Sequence, residues 1–198
     1  MELKYPFTVK QIKELNAGDS VRISGKVYTG RDRLHKFLAE GGKSPVDLRD
    51  AAIYHCGPVV VKDEGMWRVK SAGPTTSIRE EPYMADVIAK HGVRVVIGKG
   101  GMGNSTLDAC TRYGCVYLQA AGGAAALLAQ GIRAVEDVWF FDEFGSTEAM
   151  WKLDVEALDL VVGMDSKGCN LYEEVRCSSE CKLEELLRRE DSGRKRPC

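Results

Sequence analysis

The chain has 198 residues, 44% of them hydrophobic and 29% charged. That length and balance allow one domain with a sizeable core and exclude a disulfide-stapled miniprotein, a disordered chain or a fibre. Its 28 Lys and Arg offset 29 Asp and Glu, so no global field draws it to nucleic acid or an acidic membrane, and any anion site has to be built locally.

In chain order, the pattern predicts a short helix at 9–15, a turn at Asn16-Ala17-Gly18-Asp19, and a strand over 20–29. Val21, Ile23 and Val27 supply the buried side of that strand, with a bend at Gly25. Gly30-Arg31-Asp32 then gives way to a helix carrying Leu34, Phe37 and Leu38, ended by Gly41-Gly42. Branched and aromatic residues mark strands at 52–54, 59–62 and 67–71. From Glu81 the rhythm changes to a helix at 83–91, a strand at 94–97, a helix at 105–113 and a strand at 116–118. A helix at 124–129, a strand at 135–141, a connection containing Met150 and Trp151, and a strand at 158–163 complete the alternation. A strand-rich first third followed by βα alternation predicts a three-layer α/β domain with a mixed sheet. One domain is expected over residues 1–176, followed by a C-terminal helix and basic tail over 177–198. The helix is expected from Lys182, and Arg188, Arg189, Arg194, Lys195 and Arg196 read as solvated charge.

Seven cysteines, an odd number without a CxxC pair, argue against a disulfide framework and for reduced thiols. The charged opening lacks the apolar run of a secretory signal. The most apolar stretch, 116–132, is broken by Gln119 and Gln130 and is too short to span a membrane, so a cytoplasmic protein is expected. The spacing of Cys169, Cys177 and Cys181, with no histidine near them, reads as ordinary thiols, and no metal is assigned to this chain.

Three constellations carry basic or hydroxyl groups at predicted strand ends. In Tyr28-Thr29-Gly30-Arg31-Asp32-Arg33-Leu34-His35, Arg31 and His35 are four apart on one helix face and Asp32 falls in the first turn, where a carboxylate is favoured. Arg31 is suited to grip a carboxylate with His35 behind it; the alternative is a plain helix start capped by Asp32. In Gly73-Pro74-Thr75-Thr76-Ser77-Ile78-Arg79, three consecutive hydroxyls have no packing logic, whereas a pocket wall with Arg79 as counter-ion does; a simple cap is the alternative. Ile97-Gly98-Lys99-Gly100-Gly101 is a strand emptying into glycine with one lysine at its mouth. It fits neither a P-loop nor GxGxxG, and only loosely the GxxG loop of KH RNA-binding modules. A lysine in the crevice past a strand's carboxyl end is the better reading, with a plain turn as its alternative. Asp165 and Lys167, in Asp165-Ser166-Lys167-Gly168, either close a turn or reach a pocket rim.

The blocks GRDRLH, IYHCGPVV, GPTTSIR, VIGKGGMG, VYLQAAGGAAAL, EFGSTEAMW and DSKGCNLY, in this order, resemble the β subunit of iron–sulfur hydro-lyases. Class I fumarase β is the nearer likeness and L-tartrate dehydratase β its relative, over roughly residues 18–172. The resemblance implies a swivelling β/β/α domain whose [4Fe–4S] cluster is held by a separate α subunit. The expected activity is hydration of fumarate to (S)-malate, with L-tartrate dehydration as the alternative. It implies Thr75 as the proton-abstracting base and Arg31, Arg79 and Lys99 as substrate-binding groups. His35, Asp32, Gly73, Thr76, Ser77, Gly98, Gly100, Asp165 and Lys167 are expected to support them, with His35 as the fallback base. Two positions depart from the pattern, Glu80 where methionine is usual and Cys169 where asparagine is common. The partners implied are the α subunit and a small dicarboxylate, with no nucleic acid or membrane, in a β homodimer or an (αβ)2 assembly.

Overall fold

The computed structural model describes residues 1–193; Arg194, Lys195 and Arg196 of the basic tail lie outside the described residues. The strands are β1 (Glu2–Lys4), β2 (Ser20–Gly30), β3 (Ala52–His55), β4 (Val59–Asp63), β5 (Met66–Ser71), β6 (Val95–Gly98), β7 (Val116–Gln119), β8 (Ile132–Trp139) and β9 (Met150–Met164). The helices are α1 (Val9–Lys13), α2 (Asp32–Ala39), α3 (Glu81–His91), α4 (Asn104–Tyr113), α5 (Ala125–Gln130), α6 (Phe141–Phe144) and α7 (Leu171–Gly193), with one 3₁₀ turn over Ser77–Glu80.

The large sheet runs β1-β2-β3-β6-β7-β9-β8, and β2 also pairs with β9. Because β9 reaches β7 on one side and β2 on the other, strands β2, β3, β6, β7 and β9 form a closed ring. The pairings β2·β3, β3·β6 and β6·β7 are parallel, while β9 is antiparallel to both neighbours, which gives the expected mixed sheet. Hairpin β4–β5 forms a small second sheet.

Two-residue periodicity sorts the strands' side chains into two cores. Ala52, Tyr54, Val95, Ile97, Val116 and Leu118 face the inside of the ring, where Val21, Ile23, Val27, Leu153 and Leu160 meet them. Their alternates Ile53, Val96 and Tyr117 face outward and are covered by Leu34 and Leu38 of α2, Met84, Val87 and Ile88 of α3, and Ala109 and Cys110 of α4. Each such fully buried aliphatic side chain contributes about 1.5–3 kcal/mol relative to exposure. The bend expected in β2 is present: the register against β9 shifts between Ile23 and Gly25. Gly25 has φ +105°, and a Cβ there would sit 2.8 Å from Tyr5 Cβ.

Three elements differ from the sequence expectation. Met150 and Trp151, expected in a connection, open the fifteen-residue β9. Trp151, Leu153 and Val155 alternate inward, and the Trp151 ring is fully buried, edge-on to Trp67 at 5.2 Å, with Nε1 donating to Ser146 O at 2.8 Å. The strand expected over 135–141 ends at Trp139, because Phe140 takes φ +61° and Phe141 starts α6. The C-terminal helix starts at Leu171 instead of Lys182 and runs past residue 176 without a break, because the Asn170 side chain accepts from Tyr172 N–H at 3.0 Å and caps it. No described helix is long and apolar enough to cross a membrane.

Candidate active site

Parallel pairing brings the carboxyl ends of β2, β3 and β6, at Gly30, His55 and Gly98, to one edge of the ring. The segment after β5 is stitched into that edge. Thr75 N–H donates to His55 O at 2.7 Å, Thr76 bridges Lys99 in parallel, and Ser77 N–H donates to Lys99 O at 3.0 Å. The three hydroxyl residues therefore lie along the strand ends. Neither Thr76 nor Asp32 makes a side-chain helix cap, so the capping alternatives for both are set aside.

Ser77 is the knot. Its buried Oγ accepts from Lys99 N–H at 3.1 Å, lies 3.0 Å from the Tyr117 hydroxyl and 2.9 Å from His55 Nδ1. Gly98 makes this possible, since a Cβ there would fall 1.8 Å from Ser77 Oγ.

The solvent-facing layer is cationic. Arg79 Nη2 donates to Thr75 Oγ1 at 2.8 Å and pairs with Asp32 Oδ2 at 3.3 Å, so one guanidinium ties the hydroxyl to the first turn of α2. Arg31, just before α2, pairs through Nε with Glu148 Oε1 at 3.5 Å, and Glu148 Oε2 accepts from Arg33 N–H at 2.9 Å. Gly57 lets this pair form: a Cβ there would meet Thr147 O at 2.7 Å and Arg31 Cδ at 3.0 Å. The ammonium of Lys99, on the next strand end, has neither ion pair nor hydrogen bond among the described residues.

A buried layer lies beneath. His35 is fully buried, and its Nδ1–H donates to Arg31 O at 2.8 Å. Burial holds its imidazole down at about 4, so the ring is neutral and has no path to a substrate; the fallback-base expectation does not fit this position. The His55 ring stands edge-on to it at 4.9 Å, and burial together with its neighbour keeps His55 neutral as well. Glu80 completes the layer, fully buried with Oε2 3.5 Å from His35 Nδ1. Burial first, then the charge of Asp32, pushes its carboxyl up to about 8.

Arg31, Asp32, Thr75, Thr76, Ser77, Arg79, Gly98 and Lys99 thus gather at one edge, with His35 behind them. Gly73 lies beside α5, where a Cβ would be 2.9 Å from Ala125 Cβ, and Gly100 N–H donates to Gln119 Oε1 at 3.1 Å. Asp165 and Lys167 are not brought to this edge. Met164 pairs with Tyr117 and Val161 with Gln119, so β9 carries Asp165 toward the start of the parallel strands, away from the gathered side chains. Asp165 accepts from the N–H groups of Ala17, Lys167 and Cys169 at 2.9–3.0 Å, and Lys167 Nζ donates to Asn16 Oδ1 at 2.7 Å, so the pair closes a turn. Reading strand ends for cations passed over His55, Tyr117, Glu148 and the buried setting of Glu80. His55 was accessible to the same rule, since Tyr54-His55-Cys56-Gly57 is a strand ending in glycine; Glu148 has no local signal.

The glycine loop after β6 leads into α4, whereas the KH loop joins two helices. Cys169, Cys177 and Cys181 are exposed and free, and no three His, Cys, Asp or Glu side chains among the described residues gather as a metal-ligand set. What the edge can do is bind carboxylate through its cations and hold a hydroxyl against a guanidinium.

Comparison with known proteins gives a match to the family model for the fumarase C-terminus over residues 1–175. A candidate class I fumarate hydratase of Geobacillus stearothermophilus is 55% identical over 185 residues, covering 93% of this chain and 36% of that protein, so the chain spans about a third of that relative's length. A candidate L(+)-tartrate dehydratase subunit beta of Methanocaldococcus jannaschii is 42% identical over 193 residues, covering 93% of this chain and 99% of the other. The L(+)-tartrate dehydratase subunit beta of Escherichia coli K12 is 34% identical over 174 residues, 87% of this chain and 86% of its own.

Proposed function

Since the chain belongs to the fumarase C-terminus family, we propose that it is the β component of an iron–sulfur hydro-lyase that reversibly hydrates fumarate to (S)-malate. An α component carries the [4Fe–4S] cluster; the described residues of this chain offer no ligand set for one, so the steps assigned here run only through its own side chains. L-tartrate is the alternative substrate of the same reaction class, and higher identity to the fumarate hydratase relative than to the two tartrate dehydratase relatives supports fumarate first.

The observation that carries the reading is the Arg79 guanidinium donating to Thr75 Oγ1 at 2.8 Å, with the unpaired Lys99 ammonium on the adjoining strand end. A free threonine hydroxyl is far too weak a base to take a proton from C3 of malate. Cationic donors that hold its oxygen lower the hydroxyl's pKa, so that once its own proton has passed to solvent the stabilised alkoxide takes the C3 proton, and in the hydration direction the re-formed hydroxyl gives it back. Arg31 and Lys99 hold the substrate carboxylates, and the cations offset the charge that develops on the carboxylate next to the deprotonated carbon.

The test is co-expression with the α component and assay on fumarate and on L-tartrate. The expected result is fumarate hydration, with Thr75→Ala and Arg79→Ala each losing about 100-fold or more in kcat while their melting curves stay those of the parent. Activity on L-tartrate alone assigns the alternative substrate, and activity on neither rejects the hydro-lyase.

A further inference from the structure

Beneath the cationic edge lies a carboxyl group whose surroundings supply it with no donor. Glu80 is fully buried and neither of its oxygens receives a hydrogen bond. The one N–H pointing its way, His35 Nδ1 at 3.5 Å, is already given to Arg31 O at 2.8 Å. The titratable groups that face it are Asp32 and the neutral His35 from α2, Arg79 from its own turn, and Glu148 from the loop before β9, with His55 behind His35. Of these, Asp32 lies within hydrogen-bonding reach of the Glu80 carboxyl, and both groups are acceptors when ionised. An ionised Glu80 would place a buried, donorless carboxylate against the half-exposed carboxylate of Asp32 with no proton between them, which is the arrangement in which the buried member of a pair keeps its proton.

We propose that Glu80 is a positioning residue that stays protonated and donates its hydrogen bond to Asp32, so that Asp32 in turn holds the Arg79 guanidinium on the Thr75 hydroxyl. The chain of contacts is continuous: Glu80 to Asp32, Asp32 Oδ2 to Arg79 Nη2 at 3.3 Å, and Arg79 Nη2 to Thr75 Oγ1 at 2.8 Å. Ionisation of Glu80 adds a second carboxylate that competes with Thr75 for the same guanidinium. Both residues stand on the same 3₁₀ turn, but the Arg79 side chain is half exposed and the Glu80 side chain fully buried, so the guanidinium is the group with room to move. The proposal deepens the hydro-lyase reading and rests on it only for the role of Thr75; the proton on Glu80 and its link to Arg79 stand or fall without any catalysis.

The experiment uses the whole chain, labelled with 13C at the glutamate carboxyl and 15N at the arginine guanidinium, and follows both by NMR against pH. The expected result is one glutamate resonance that is protonated at neutral pH and titrates near 8, absent from Glu80→Gln. Hydrogen-bonded Arg79 Nη signals are expected to broaden over the same interval in the parent and to stay sharp in Glu80→Gln, whose amide donates to Asp32 at every pH. Should Glu80→Gln fail to fold, Asp32→Asn replaces it: removing that charge lowers the midpoint of the same resonance. A Glu80 already ionised at neutral pH, or Arg79 signals indifferent to the Glu80 midpoint, overturns the proposal. A complex inactive on both diacids, with these NMR results intact, would instead overturn the hydro-lyase reading alone.

Discussion

Replacing Gly98 by alanine tests the packing that holds the whole edge together. The added Cβ would stand 1.8 Å from Ser77 Oγ and 3.1 Å from both His55 Nδ1 and the Tyr117 hydroxyl. Gly98 is not among the glycines with positive φ, so the backbone tolerates alanine and the cost comes from the Ser77 contact. To clear it, Ser77 must rotate away from Lys99 N–H, Tyr117 and His55, or the 3₁₀ turn must shift bodily. A lost hydrogen bond whose partner can turn to water costs about 1 kcal/mol, and one that leaves a buried partner unsatisfied costs about 1–3 kcal/mol. With two of the three partners buried beyond the reach of water, the expected loss is about 3–7 kcal/mol, a large share of a stability of about 5–15 kcal/mol. Urea midpoints measure it. Ser77→Gly removes the colliding oxygen, so Gly98→Ala added to that background should cost less than about 1 kcal/mol, and the double-mutant cycle should show strong coupling. A Gly98→Ala protein within about 0.5 kcal/mol of the parent, or additive effects in the cycle, would refute the argument.

Three further outcomes separate the site from its frame. Asp165→Ala removes the acceptor of three backbone N–H groups and should cost about 2–3 kcal/mol in urea, while leaving dicarboxylate affinity of the assembled enzyme unchanged. Glu80 titrates near 8 when folded and near 4.5 in the unfolded chain, so the native state binds the extra proton across that interval. Stability relative to Glu80→Gln is therefore fully present below about 4.5 and falls as pH rises toward 8, and urea titrations at several pH values should show the slope vanish in Glu80→Gln. Lys99→Met should weaken binding of a small dicarboxylate inhibitor to the complex about ten-fold or more, and more than Arg31→Met does, because Arg31 gives up Glu148 to bind anything new.

The frame was largely legible because its signals are local. Val95-Val96-Ile97-Gly98 and Val116-Tyr117-Leu118 are short apolar runs bounded by breakers, and the glycine inside β2 announced its own bend. The ring itself was not legible, since closure depends on β9 pairing with β2 more than a hundred residues earlier in the chain. The same long-range dependence hid Trp151: its alternation with Leu153 and Val155 reads as a strand only once an inward face exists for it to fill. At the site, cations and hydroxyls at strand ends could be picked out one by one. Their pairing could not, because Arg79 reaches Asp32 across more than forty positions of sequence and Arg31 reaches Glu148 across more than a hundred. Glu80 registered only as a departure from a pattern; what makes it chemically unusual is burial beside Asp32, a property of the assembled edge.

The charge arrangement also constrains how a dianion is taken up. Two of the three cations at the edge already hold carboxylates, Arg79 with Asp32 and Arg31 with Glu148. An incoming carboxylate that binds either guanidinium exchanges one ion pair for another; the half-exposed Arg79–Asp32 pair is worth no more than about 1 kcal/mol, while the Arg31–Glu148 pair is more buried. Such exchange adds little net affinity, but it selects for geometry, since a planar guanidinium favours a ligand that presents two oxygens at the right separation. Lys99 makes no such exchange and supplies net attraction, as a point charge with little directional preference. Affinity and selection are therefore divided between different side chains. Under the proposed function, a substrate would be drawn in by the strand end at Lys99 and sorted by the two arginines, one of which is held against the Thr75 hydroxyl.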